Sequence, residues 1–107
     1  MRVELHPEAR GEIRAAALWY ETQRVQLGDD FLTEVSQALN RIADAPLSFP
    51  VWPNVTETAV LVRMATVHRF PYLVAFELHA ERALVLAVAH AKRLPLYWLT
   101  RVHRGAV

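Results

Sequence analysis

The chain has 107 residues, 53% hydrophobic and 21% charged, which suits one folded domain with one core and excludes a disordered chain. It contains no cysteine, so disulfide scaffolds, thiol catalysis and thiolate metal sites are ruled out. The formal net charge of +1 conceals an asymmetry: residues 1–57 carry five arginines against nine acidic side chains, and residues 58–107 carry six arginines and one lysine against two. A basic half of this kind implies a surface suited to an anionic partner. The opening MRVELHPEAR has no apolar signal region, and no apolar run approaches the length of a membrane span. The expectation is a cytoplasmic protein with no membrane contact.

Arg2–Leu5 is short and alternating and predicts a first strand, ended by His6-Pro7. Pro7 suits the start of a helix running to about Leu27. Ala9, Ile13, Ala16, Ala17 and Tyr20 recur at helical spacing and should face the core, leaving Glu8, Glu12, Arg14 and Glu21 to solvent. Gly28 is placed to stop that helix in a left-handed cap, and Asp29 or Asp30 to cap the next one. Phe31, Val35, Ala38, Leu39 and Ile42 form an apolar stripe on the second helix, which Pro46 closes. The short link between the two predicts an antiparallel helical hairpin.

Leu47–Thr56 is an irregular connector in which Phe49 and Trp52 are expected to plug the core. Thr58–Thr66 alternates, with Val60, Val62 and Met64 on one face and Arg63 on the other. Pro71–Leu78 places Tyr72, Val74, Phe76 and Leu78 on one side, and Ala83–His90 follows after a turn. Three strands joined by short turns predict an antiparallel meander. The order is therefore β-α-α-β-β-β: an α+β domain over residues 1–107, with a helical hairpin on one face of a small twisted antiparallel sheet. The other face is expected to be open, with Arg63 directed towards it. After the last strand, Pro95 suits the first residue of a short helical turn carrying Tyr97 and Arg101 on one side, with Trp98 beside them.

Several motifs, in this order, are similar to those of the RelE/ParE superfamily of bacterial type II toxins: VELHPEA, ALWYETQ followed by LGDDFL, RIADAP, VRMATVHRFPYLVAFEL and AVAHAKRLPLYW. The resemblance runs from Val3 to about Arg101. It implies a small sheet with two N-terminal helices, and a toxin held inactive by a cognate antitoxin, with larger toxin–antitoxin assemblies as a further expectation. The superfamily divides in activity. RelE-like members cleave messenger RNA in the ribosome, whereas ParE-like members poison DNA gyrase without nuclease chemistry; fold does not choose between them. A degenerate member would only bind its antitoxin.

Metal-free RNA cleavage needs a base, cations for the crowded phosphate and an acid for the leaving oxygen. By resemblance these roles fall to Arg63, His90, Arg93 and Tyr97. Arg69, Lys92, Trp98 and Arg101 would bind substrate, with Tyr97 or Trp98 stacking a base. The competing readings are structural. Trp98 and Tyr97 could pack the final turn onto the sheet, His90 could cap the sheet, and Arg93 and Arg101 could pair with the acidic helices. No cofactor is expected: HExxH is absent, and His68, His79, His90 and His103 have no local ligand spacing. Ser36 and Ser48 lack a nucleophile turn, and three glycines cannot build a phosphate-cradling loop.

Overall fold

The computed structural model describes residues 1–53, 55, 61–94 and 96–102. The element order is β1 (Arg2–Leu5), α1 (Pro7–Gln23), α2 (Leu27–Asp44), a 3₁₀ turn at Pro46–Ser48, β2 (Val62–Thr66), β3 (Tyr72–Leu78), β4 (Arg82–His90) and a second 3₁₀ turn at Tyr97–Arg101. This is the expected α+β arrangement. The expected positions of Val60 and Pro95, and the start of the strand predicted from Thr58, lie outside the described residues.

The sheet has the order β1-β4-β3-β2. β2, β3 and β4 form the antiparallel meander, but β1 adds parallel to β4, with Arg2 opposite Arg82 and Leu5 opposite Val85. The sheet is therefore mixed, because the helical hairpin returns the chain to the far edge of the sheet before the meander begins. On the helix side, Ala9, Ala16 and Ala17 of α1 and Phe31, Val35, Ala38 and Ile42 of α2 pack on Val74, Phe76, Val85 and Val88. Tyr20, Phe31, Phe70 and Tyr72 meet as an aromatic cluster with ring centroids 4.9–6.2 Å apart, in tilted and edge-on geometries.

The hairpin link departs from expectation. α1 ends at Gln23, the left-handed residue is Gln26 (φ 78°), and Gly28 lies inside α2. A Cβ on Gly28 would come within 2.6 Å of the Ala17 carbonyl oxygen, so this glycine serves the close approach of the two helices. Asp29 and Asp30 sit in the first turn of α2, where they favour its positive end without capping it. The cap comes from α1: the Glu21 carboxylate accepts the N–H groups of Gln26 (3.1 Å) and Gly28 (3.0 Å).

The second face is not left open as the alternation suggested. Val62, Ala75, Leu86, Ala87, Trp98 and Val102 form a second buried cluster there, joined by Trp52, whose ring lies 5.0 Å from that of Trp98. A bulge makes this possible. Ala75 pairs with Ala87 and Phe76 with Val85, so Leu86 has no opposite residue. Leu86 and Ala87 then both face the second side and form the floor on which Trp98 rests. Fully buried Glu77 belongs to β3, with His79 Nε2 3.5 Å from its Oε1.

Arg63 also departs from expectation. It is Val62 that packs on the second side, so alternation puts Arg63 with Ala65 on the helix side, opposite Phe76. Its guanidinium donates to the Phe49 carbonyl at 2.7 Å. Phe49 packs edge-on to Phe76 on the helix side, while Trp52 joins the second cluster. Between them Val51 bridges Arg63, Trp52 N–H donates to Val62, and Met64 N–H to Pro50. The connector thus shields the outer edge of β2.

Candidate functional site

The site begins where β1 stops. The His6 N–H makes the last rung to the Val85 carbonyl (2.8 Å); Pro7 has no N–H to continue it and instead opens α1, with the His6 imidazole accepting the Glu8 N–H at 3.1 Å. Among the described residues, the edge of β4 beyond Val85 has no neighbouring strand. Side chains take over its backbone groups. Glu12 Oε1 accepts the Val88 N–H at 3.0 Å, and Arg101 Nη1 donates to the Leu86 carbonyl at 3.0 Å. The two side chains also meet each other at 3.1 Å, so one ion pair stands in for a missing strand.

Glu12 is the hub of this clasp. Its other oxygen accepts a short hydrogen bond from the Tyr97 hydroxyl and faces Arg93 Nη1 at 3.5 Å. Arg101 Nη2 reaches Glu8 at 3.2 Å, and the guanidinium of Arg93 lies over the Tyr97 ring at 3.8 Å. The Glu12 and Arg101 side chains are only 13% and 10% exposed. Burial, followed by the hydrogen bond to Glu12, drives the Tyr97 phenol far above its ordinary range. It stays protonated at neutral pH, where its proton is committed to Glu12.

Sequence reasoning gave Glu12 to solvent; the structure makes it the best-connected side chain of the site. The available signal was the charge asymmetry together with the i, i+4 spacing of Glu8 and Glu12, which puts both carboxylates on one side of α1.

The structure gathers Arg93, Tyr97 and Arg101 around Glu12 and puts His90 beside them. His90 Nδ1 accepts the Lys92 N–H at 3.0 Å, and its ring stands edge-on to Tyr72 at 5.3 Å. It borders a cleft of about 270 Å³ lined also by Glu12, Ala15, Ala16, Trp19, Tyr72, Val88 and Arg93. Lys92 is exposed beside it. The remaining candidates lie elsewhere. Arg63 pairs with Phe76 whereas His90 pairs with Tyr72, which separates them by about 13 Å along the strands and about 10 Å across them. Arg69, at φ 70° in the β2–β3 turn, faces Asp30 (3.6 Å) and Glu34 (3.5 Å) of α2. Trp98, expected to offer a stacking face, is 1% exposed inside the second cluster and offers none. Among the described residues no group of three or more His, Asp or Glu side chains could hold a metal ion.

A separate groove of about 390 Å³ lies on the other side of α1, lined by Leu5, Ile13, Ala17, Leu18 and Leu32 with Arg10 and Arg14 at its margin.

The family model for the ParE toxin of the parDE type II toxin–antitoxin system matches residues 3–95. The chain belongs to the ParE toxin family. Among curated proteins, none matches the sequence. A solved structure from P. aeruginosa, described as a chromosomal ParDE toxin–antitoxin system, superposes with a TM-score of 0.60 at 15% identity, covering 84% of this chain and 95% of that one. At that identity the likeness speaks for the fold. The ParE assignment carries with it a cognate antitoxin as partner. Among the described residues, no helix of this ParE-family toxin is long and apolar enough to cross a membrane.

Proposed function

We propose that this chain is a growth-inhibiting toxin that acts by binding its target, as a non-catalytic inhibitor of DNA gyrase, and not by cutting messenger RNA. The observation that carries this reading is the state of Glu12: Tyr97, Arg93 and Arg101, three of the side chains RNA cleavage would recruit, are all directed at one carboxylate. Arg93 and Arg101 then have part of their charge already compensated, and the Tyr97 phenol is a poorer acid than a free one. Arg63 lies too far from His90 to clamp the same phosphate. A binding toxin needs no such convergence. The antitoxin, in this reading, uses the apolar groove between α1 and α2, where Arg10 and Arg14 favour an acidic segment.

The test is induced expression with DNA and protein synthesis labelled separately, comparing wild type with His90→Ala and Arg63→Ala. Early arrest of DNA synthesis, unchanged by either substitution, is the expected result, together with inhibition of supercoiling by purified gyrase. Early arrest of protein synthesis that His90→Ala relieves would replace this reading with ribosome-associated RNA cleavage. No arrest would leave a chain that only binds its antitoxin.

A further inference from the structure

We propose that the cleft between α1 and the C-terminal end of β4 is the surface that grips the target, and that it takes one apolar or aromatic side chain flanked by carboxylates on a partner protein. This inference rests on the binding-toxin reading above and adds the place and chemistry of the contact. Trp19 forms one wall and is 57% exposed, the only tryptophan or phenylalanine left in that state among the described residues. Tyr72 and His90 form the opposite wall, locked edge-on to each other. Ala15 and Ala16, whose short side chains leave the space open, complete the lining with Val88 and Glu12.

Size selects the guest. At about 270 Å³ the cleft falls below the range of roughly 300–1,000 Å³ typical of small-molecule sites, and suits a single anchoring side chain. Its Trp, Tyr and Arg composition is that of protein–protein hot spots. Arg93 is half exposed at the rim with Lys92 next to it, so carboxylates beside the anchor are favoured. Glu12 itself lines the cleft, its carboxylate already engaged by Tyr97, Arg93 and Arg101, and Glu8 lies one turn before it on α1. This acidic wall disfavours a continuous phosphate backbone along the cleft, whereas a partner's carboxylate is met by exposed Lys92 and half-exposed Arg93.

The position also accounts for neutralisation. Leu18 borders the groove assigned to the antitoxin and Trp19 borders the cleft, and adjacent residues of a helix are about 100° apart. An antitoxin segment seated on Leu18 leaves Trp19 uncontacted and excludes a target protein from the neighbouring cleft by bulk.

Trp19→Ala and Lys92→Glu, both at exposed positions outside the Glu12 clasp, test this in the full chain. At matched toxin levels each should weaken growth arrest at least about tenfold, the scale of a lost hot spot. Affinity for the antitoxin, which also reports folding, should stay within about threefold of wild type. Undiminished growth arrest in both variants would overturn the proposal. So would a parallel loss of antitoxin binding, which would make the cleft the antitoxin's seat. Tryptophan quenching by single-stranded RNA that disappears in Trp19→Ala would put a nucleic acid there instead. Gyrase as the target fails separately, on wild type alone, if supercoiling is untouched; growth arrest then still judges the cleft.

Discussion

Each of the two helices is tied to the basic half of the chain by carboxylates, and the two ties differ in kind. α2 offers Asp30 and Glu34 to Arg69 at 3.6 and 3.5 Å, with Arg69 56% exposed. α1 offers Glu12 to Arg101, Tyr97 and the Val88 N–H, in a setting where both charged partners are nearly buried. The ions are the same types. Water reaches the first set through the exposed Arg69 guanidinium, although Glu34 is as buried as Glu12, and those bonds exchange for solvent at modest cost. The second set holds backbone groups that, among the described residues, have no strand to pair with, so losing one member strands several others.

Glu12→Ala should separate the two ties most sharply. It leaves the Arg101 charge, the Tyr97 hydroxyl and the Val88 N–H short of a partner, and a loss of about 3–5 kcal/mol is expected from urea unfolding. For a marginally stable domain that approaches the whole margin.

Tyr97→Phe removes a single charge-assisted bond and should cost about 1.5–3 kcal/mol. It also has a pH signature. Because the folded-state phenol titrates above its unfolded value of 10.0, its contribution is fully present below pH 10 and fades as the unfolded chain loses that proton more readily. Wild type should therefore lose stability faster than Tyr97→Phe above pH 10, as read by unfolding midpoints across the alkaline range. Parallel slopes would mean that the phenol is neither buried nor held by Glu12 as described.

Arg69→Ala is expected to cost less than about 1 kcal/mol, and salt near 1 M should erase the difference from wild type. The Glu12→Ala deficit should survive the same salt. If the two variants respond alike, burial is not what distinguishes the ties.

The helix-covered face was legible because its stripes are periodic: Phe31, Val35, Ala38 and Ile42, and Tyr72, Val74, Phe76 and Leu78, all pack where their spacing places them. What periodicity could not show depends on interruptions of it. The bulge at Leu86 changes which residues of β4 face which side, and the resulting second cluster buries Trp98. Alternation alone puts Arg63 on the wrong face, because Val62 and Met64 look like core partners of the helices whereas Ala65 fills that role. Gly28 resembles a stop signal because glycine favours left-handed turns; its use against Ala17 comes from packing between helices, which no local rule reports. Of the site, His90, Arg93, Tyr97 and Arg101 were legible as a group. Glu12 was not, because its partners lie in the far half of the chain.

The parallel pairing of β1 with β4 orders events during synthesis. Arg2 must wait for Arg82, and the second cluster must wait for Trp98 and Val102. Contacts this distant along the chain cannot form while the later residues are unmade, so the nascent chain holds neither its sheet nor its clasp. Until residues 96–102 have emerged, the nascent chain can therefore neither close the Glu12 clasp nor bury the second face of its sheet, so the fold is completed only late in synthesis.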